Sequence, residues 1–72
     1  MKSFVRYRHP ANGNYYYFVD YRTRSGVLVP VGCFGYRRRR CATIFETKLG
    51  AAAVAEHLQS LGYAASVERA YI

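Results

Sequence analysis

Four consecutive arginines, Arg37 to Arg40, form the densest run of charge in a chain of 72 residues. Guanidinium groups are planar and permanently charged, make paired hydrogen bonds to phosphate, and stack on aromatic rings. Arg6, Arg8, Arg22 and Arg24 precede the run, and Tyr16, Phe18, Phe34 and Tyr36 are interleaved with these cations as candidate exposed rings. The first 40 residues hold nine Lys and Arg against the single acid Asp20. The remainder holds Lys48 and Arg69 against Glu46, Glu56 and Glu68. Like charges crowded on a compact surface repel, so an asymmetry this strong points to an anionic partner. Arginines would meet phosphates while rings offer π faces to unpaired bases. A two-stranded ribbon also fits the major groove, where arginine reads guanine. The candidate binding set is Arg6, Arg8, Arg22, Arg24, Tyr36, Arg37, Arg38, Arg39 and Arg40.

Other chemistry finds little support. His9, His57, Cys33 and Cys41 are metal-ligand types without the close paired spacing of structural zinc sites. No acidic pair, phosphate-binding glycine motif or Ser, His and acid grouping recommends itself, so no catalytic residue, cofactor or metal is assigned. Two cysteines are too few for a disulfide scaffold and fit a reducing compartment. The start Met1-Lys2-Ser3-Phe4-Val5-Arg6 lacks an apolar stretch of secretory length, and no segment approaches the roughly 20 apolar residues of a spanning helix. A soluble, cytoplasmic protein is expected.

The elements that must hold these cations read as one α+β domain covering residues 1–72. Its size leaves a thin core that large tyrosine rings help fill. Ser3 to Arg8 alternates as a half-buried strand, with Val5 and Tyr7 on one side and Phe4, Arg6 and Arg8 on the other. His9-Pro10-Ala11-Asn12-Gly13-Asn14 is a turn. Tyr15 to Arg22 forms a second strand, with Tyr15, Tyr17, Val19 and Tyr21 taken as inward and Tyr16, Phe18, Asp20 and Arg22 outward. Thr23-Arg24-Ser25-Gly26 turns the chain, and Val27 to Val31 is a third strand, placed at an edge by Pro30. Tyr36 to Phe45 reads as a fourth strand carrying the arginines at its start. Residues 47–61 form a helix capped by Thr47 and closed at Gly62. Its packed side is read as Leu49, Gly50, Ala53, Val54, His57, Leu58 and Leu61. Ala64 to Ile72 is a closing strand. The expected architecture is a small antiparallel sheet of four to five strands on one helix, in the order β-β-β-β-α-β.

The stretch Arg37-Arg38-Arg39-Arg40-Cys41-Ala42-Thr43-Ile44-Phe45-Glu46-Thr47-Lys48, with the alanine-rich helix through Leu58, resembles the end of the arm-type DNA-binding domains of phage tyrosine integrases. The likeness covers about 25 of the 72 residues. Those domains have a basic strand, an aromatic-x-Thr-Lys junction and a helix behind a three-stranded sheet that enters a groove. This chain departs from them in Leu49-Gly50-Ala51 at the helix start and in a further strand, and no catalytic recombinase domain is expected. The resemblance implies that Arg38 and Arg40, or Arg37 and Arg39, face the groove.

The leading expectation is a small non-enzymatic protein of viral or mobile-element origin that binds DNA or RNA through an Arg/Tyr-rich sheet face. The alternative is a phage-encoded inhibitor, of the anti-CRISPR or host-takeover kind, docking its basic face on an acidic protein surface or a nucleic-acid-handling complex; Arg and Tyr dominate interface hot spots. Homodimerisation through an edge strand is a third possibility.

Overall fold

The computed structural model describes residues 2–35 and 40–70. Three strands, β1 (Ser3–Arg8), β2 (Tyr15–Arg24) and β3 (Val27–Phe34), are followed by the helix α1 (Lys48–Ser60) and the strand β4 (Ala64–Arg69). The strands form one antiparallel sheet in the order β3-β2-β1-β4, so the closing strand lies beside the first. The α+β class is as the sequence indicates, and β3, with Pro30, lies at an edge. The fourth strand expected over Tyr36 to Phe45 is corrected for its described half. Arg40 and Cys41 sit in a short 3-10 turn, and only Phe45 bridges to a strand, at Ser3. Positions 36 to 39 lie outside the described residues.

The reason is a splay in the sheet. β1 and β2 pair only where Arg6, Tyr7 and Arg8 meet Tyr17, Tyr16 and Tyr15. Beyond that the chain at Thr43 to Phe45 is wedged between them. The Thr43 amide donates to Phe18 O at 3.0 Å and its hydroxyl donates to Val19 O. Ser3 and Phe45 exchange two backbone bonds of 2.9 and 2.8 Å. The wedge satisfies strand groups that the splay would otherwise leave unpaired in the interior.

A β-bulge between Phe18 and Asp20 leaves Val19 without a partner on β3. The extra residue shifts the parity of the strand, which corrects the inward set read from simple alternation. Tyr16 and Phe18 share the helix-side face with Val5 and Tyr7, and beyond the bulge Tyr21 joins them, its ring 4.9 Å from that of Phe18. Tyr17 is buried on the opposite face with Phe4, Ala42 and Ala70. Tyr15 is 45% exposed and Phe18 is buried, reversing the roles expected of both.

Thr47 caps α1, its hydroxyl accepting from the Gly50 amide at 3.1 Å. The helix closes with Tyr63 N donating to Leu58 O and Gly62 N to Gln59 O, both at 3.0 Å, around Gly62 at φ +95°. That pair of bonds with a left-handed glycine ends the helix and turns Tyr63 back onto the core. The packed side is rotated from the expected one. Ala51, Ala55 and Leu58 are buried with Val54 beside them, whereas Leu49 is 84% exposed and Gly50, Ala53, His57 and Leu61 also face solvent. Small alanines let the helix approach the sheet closely, and one leucine at their centre fills the remaining space.

Candidate nucleic-acid interface

Strand parity puts Arg6, Arg8 and Tyr15 together on the sheet face turned away from α1. Arg6 and Tyr17 are cross-strand partners, as are Arg8 and Tyr15. The Arg6 guanidinium lies 4.5 Å from the centre of the Tyr15 ring and that of Arg8 5.9 Å from it. Arg8 is held further by its Nε, which donates to Gly13 O at 3.2 Å, within the turn where Gly13 takes φ +71°. A cation over a ring is stabilised by the ring quadrupole and loses rotamer freedom in advance of any partner. Both side chains are therefore pre-ordered, and their terminal nitrogens are suited to an anion. Arg6 Nε is buried without a hydrogen-bond partner, as is Glu68 Oε2 on the same face, where Glu68 stands across from Phe4.

With Tyr21 on the helix side, Arg22 and Arg24 fall on this same sheet face but at the other end of β2. They lie on the far half of the β2–β3 hairpin, beyond the bulge, where they pair with Val29 and Val27. The hairpin closes through Ser25 and Gly26, both at positive φ, 51° and 76°, the backbone of a tight two-residue turn. A bulge bends its strand, and here the bend brings Tyr21 to the helix, its hydroxyl 2.7 Å from His57 Nδ1. Burial pushes the Tyr21 hydroxyl above its ordinary pKa. His57 is thus an exposed partner of Tyr21 and not the core histidine of the sequence reading. Arg22 and Arg24 line a cleft of about 640 Å³ with His9 and Tyr63, which stand at the end of β1 and the start of β4. Arg6 and Tyr15 line a different one, about 410 Å³, at the β4 edge with Gln59 and Ser66.

The arginines therefore form two separated groups along one face, Arg6 and Arg8 around Tyr15 and Arg22 and Arg24 on the far half of the hairpin. Arg40 is exposed, and Tyr36, Arg37, Arg38 and Arg39 lie outside the described residues. Of the rings taken as exposed, Phe34 is 56% accessible, Tyr16 is half-buried beside the core and Phe18 is buried. Tyr15, His9 and Tyr63 are the residues that sequence reasoning missed. The β1–β2 register that places Tyr15 and His9 and the helix terminus that places Tyr63 leave no periodic signal, although the Asn12-Gly13 turn that holds Arg8 is legible.

An aromatic cluster lies on the helix-side face of the sheet. Tyr7 is buried, its ring 5.8 Å from Tyr16 in a stacked arrangement and 5.7 Å edge-on to Tyr63. Its hydroxyl crosses Gly32, where an added Cβ would come within 2.5 Å of the Tyr7 oxygen and 2.8 Å of the Tyr17 carbonyl. Burial, with the neighbouring Tyr63, Tyr16 and Cys33, pushes the Tyr7 hydroxyl up to about 12.

Among the described residues no cluster of His, Cys, Asp and Glu could hold a metal ion, and no helix is long and apolar enough to cross a membrane. Cys33 is half-buried on β3 and Cys41 is exposed. Comparison with family models, with curated proteins and with solved structures finds no match to this chain.

Proposed function

We propose that this is a non-enzymatic nucleic-acid-binding protein, of viral or mobile-element origin, that meets phosphates with Arg6 and Arg8 on the open sheet face and with Arg22 and Arg24 on the bent hairpin. The observation that carries the reading is the pre-ordering of Arg6 and Arg8 around the exposed Tyr15 ring. Protein stability does not require two cations on one exposed ring, whereas phosphate recognition benefits from guanidinium groups already fixed in place. The run Arg37 to Arg40 adds charge to the same chain.

Fluorescence anisotropy with a labelled oligonucleotide at low salt tests it. Arg6→Glu/Arg8→Glu should weaken binding by at least tenfold, because two charges are lost and two opposing ones added. Equal affinity of wild type and variant would overturn the assignment of this face.

Val27, Leu28 and Phe34, exposed along the edge strand, favour the second reading, a phage inhibitor docking on an acidic protein. A pull-down from nuclease-treated lysate separates the two. One stoichiometric protein recovered after nucleic acid is destroyed supports the inhibitor, and loss of all partners supports direct nucleic-acid binding.

A further inference from the structure

We infer that the sheet face turned away from α1 holds one unpaired nucleic-acid strand lengthwise along β2, and that Arg40 bridges the two groups of arginines on it. This rests on the nucleic-acid reading above and narrows it to single strand.

The chain crosses the sheet just after Arg40. Ala42 is buried on the face away from α1, in one cluster with Phe4, Tyr17 and Ala70. Phe45 lies on the other side, stacked on Phe18 and packed against the helix-side core. Between them Thr43 is bonded to the Phe18 and Val19 carbonyls in the splay of β1 and β2. A chain anchored at Ala42 on one face and at Phe45 on the other brings the turn before it, with the exposed Arg40, to the face away from α1. Its position along β2 follows from the same contacts. Tyr17, on which Ala42 packs, lies between Tyr15 and Arg22 in the strand. Arg40 therefore enters between Arg6 and Arg8 at one end and Arg22 and Arg24 at the other.

Five arginines on this face stand against Asp20 and Glu68. Asp20 Oδ1 accepts from the Tyr21 amide at 2.7 Å, and Glu68 Oε2 is buried. The helix layer, in contrast, carries Lys48 against Glu46 and Glu56. At about 3.3 Å per residue, β2 from Tyr15 to Arg24 covers roughly 25–30 Å. That length suits several nucleotides, within the ~4–16 of single-strand-binding surfaces. A single strand can follow a face that twists and is bulged at Val19. A duplex, with a persistence length of about 150 bp, would have to be bent to meet all three positions. Unpaired bases also stack on guanidinium planes and aromatic rings, and Arg6 with the exposed Tyr15 ring offers both.

Anisotropy with labelled oligothymidylates of two to twelve nucleotides tests the track. Affinity should rise with length and level off once both arginine groups are spanned, with the dinucleotide at least tenfold weaker than the octanucleotide. Twelve unpaired nucleotides should bind at least tenfold more tightly than a twelve-base-pair duplex. Arg40→Ala should weaken the octanucleotide at least threefold, whereas Lys48→Ala, the same loss of charge on the helix layer, should leave it within twofold of wild type. Equal losses in the two variants, or a duplex bound as tightly as the single strand, would overturn the track and leave the nucleic-acid reading standing. Wild-type protein that retains neither form at low salt would overturn both.

Discussion

Arg6, Arg8 and Tyr15 show how a single ring can organise charge. Tyr15→Ala removes the surface over which both guanidiniums lie and leaves net charge unchanged. Binding to an oligonucleotide should weaken by up to about five- to thirtyfold, since two pairs of ~0.5–1 kcal/mol each are lost. Tyr15→Phe keeps the ring and should bind as wild type in the same anisotropy assay. A second residue-scale prediction concerns Tyr7. Its folded-state pKa of about 12 stands above the ordinary 10.0, so in alkali the unfolded chain loses this proton first. The stability this group contributes is complete below pH 10 and is lost as the pH rises towards 12. Denaturant midpoints should fall across that window. In Tyr7→Phe, which has no proton to lose there, the fall should be smaller by up to about 1.4 kcal/mol per pH unit.

At the scale of elements, the bent hairpin and the capped helix position both cationic groups. Gly32 lets the Tyr7 hydroxyl pass across β3, so Gly32→Ala must displace either that ring or the Tyr17 backbone. A loss of about 1–3 kcal/mol, read from urea unfolding, is expected from overpacking. Thr47→Ala removes the hydroxyl that accepts from Gly50 and should cost ~1 kcal/mol in the same measurement. Leu58 is fully buried at the centre of the core, and Leu58→Ala should cost about 2–5 kcal/mol. Much of this scale is readable from the chain. β1, the Asn12-Gly13 turn, the Thr47 cap, the Gly62 stop and the edge position forced by Pro30 each follow from local chemistry that the structure retains. The bulge at Val19 is different. It depends on the wedge of Thr43 to Phe45, 24 residues away for Thr43 on Val19, and alternation within Tyr15 to Arg22 carries no trace of it. The orientation of α1 was equally hidden, because alanine serves on either side of a helix and so leaves the periodicity weak.

Across the whole molecule, the length of β2 separates Arg22 and Arg24 from Arg6 and Arg8, and so makes two basic groups of one sheet face. The arginines were legible as a binding set; their division arises only from the pairing of the strands. A protein with a formal net charge of +7 that binds through such surfaces must release counterions from its partner. The measurement that tests this most directly is oligonucleotide affinity by anisotropy from low to physiological salt. Log K should fall linearly with log salt, by roughly 0.7 per phosphate neutralised on a single strand and 0.9 on a duplex, and Arg6→Ala/Arg8→Ala should flatten the slope by the equivalent of about two phosphates. No retention of DNA or RNA at low salt, or a slope unchanged by the double substitution, would contradict the account.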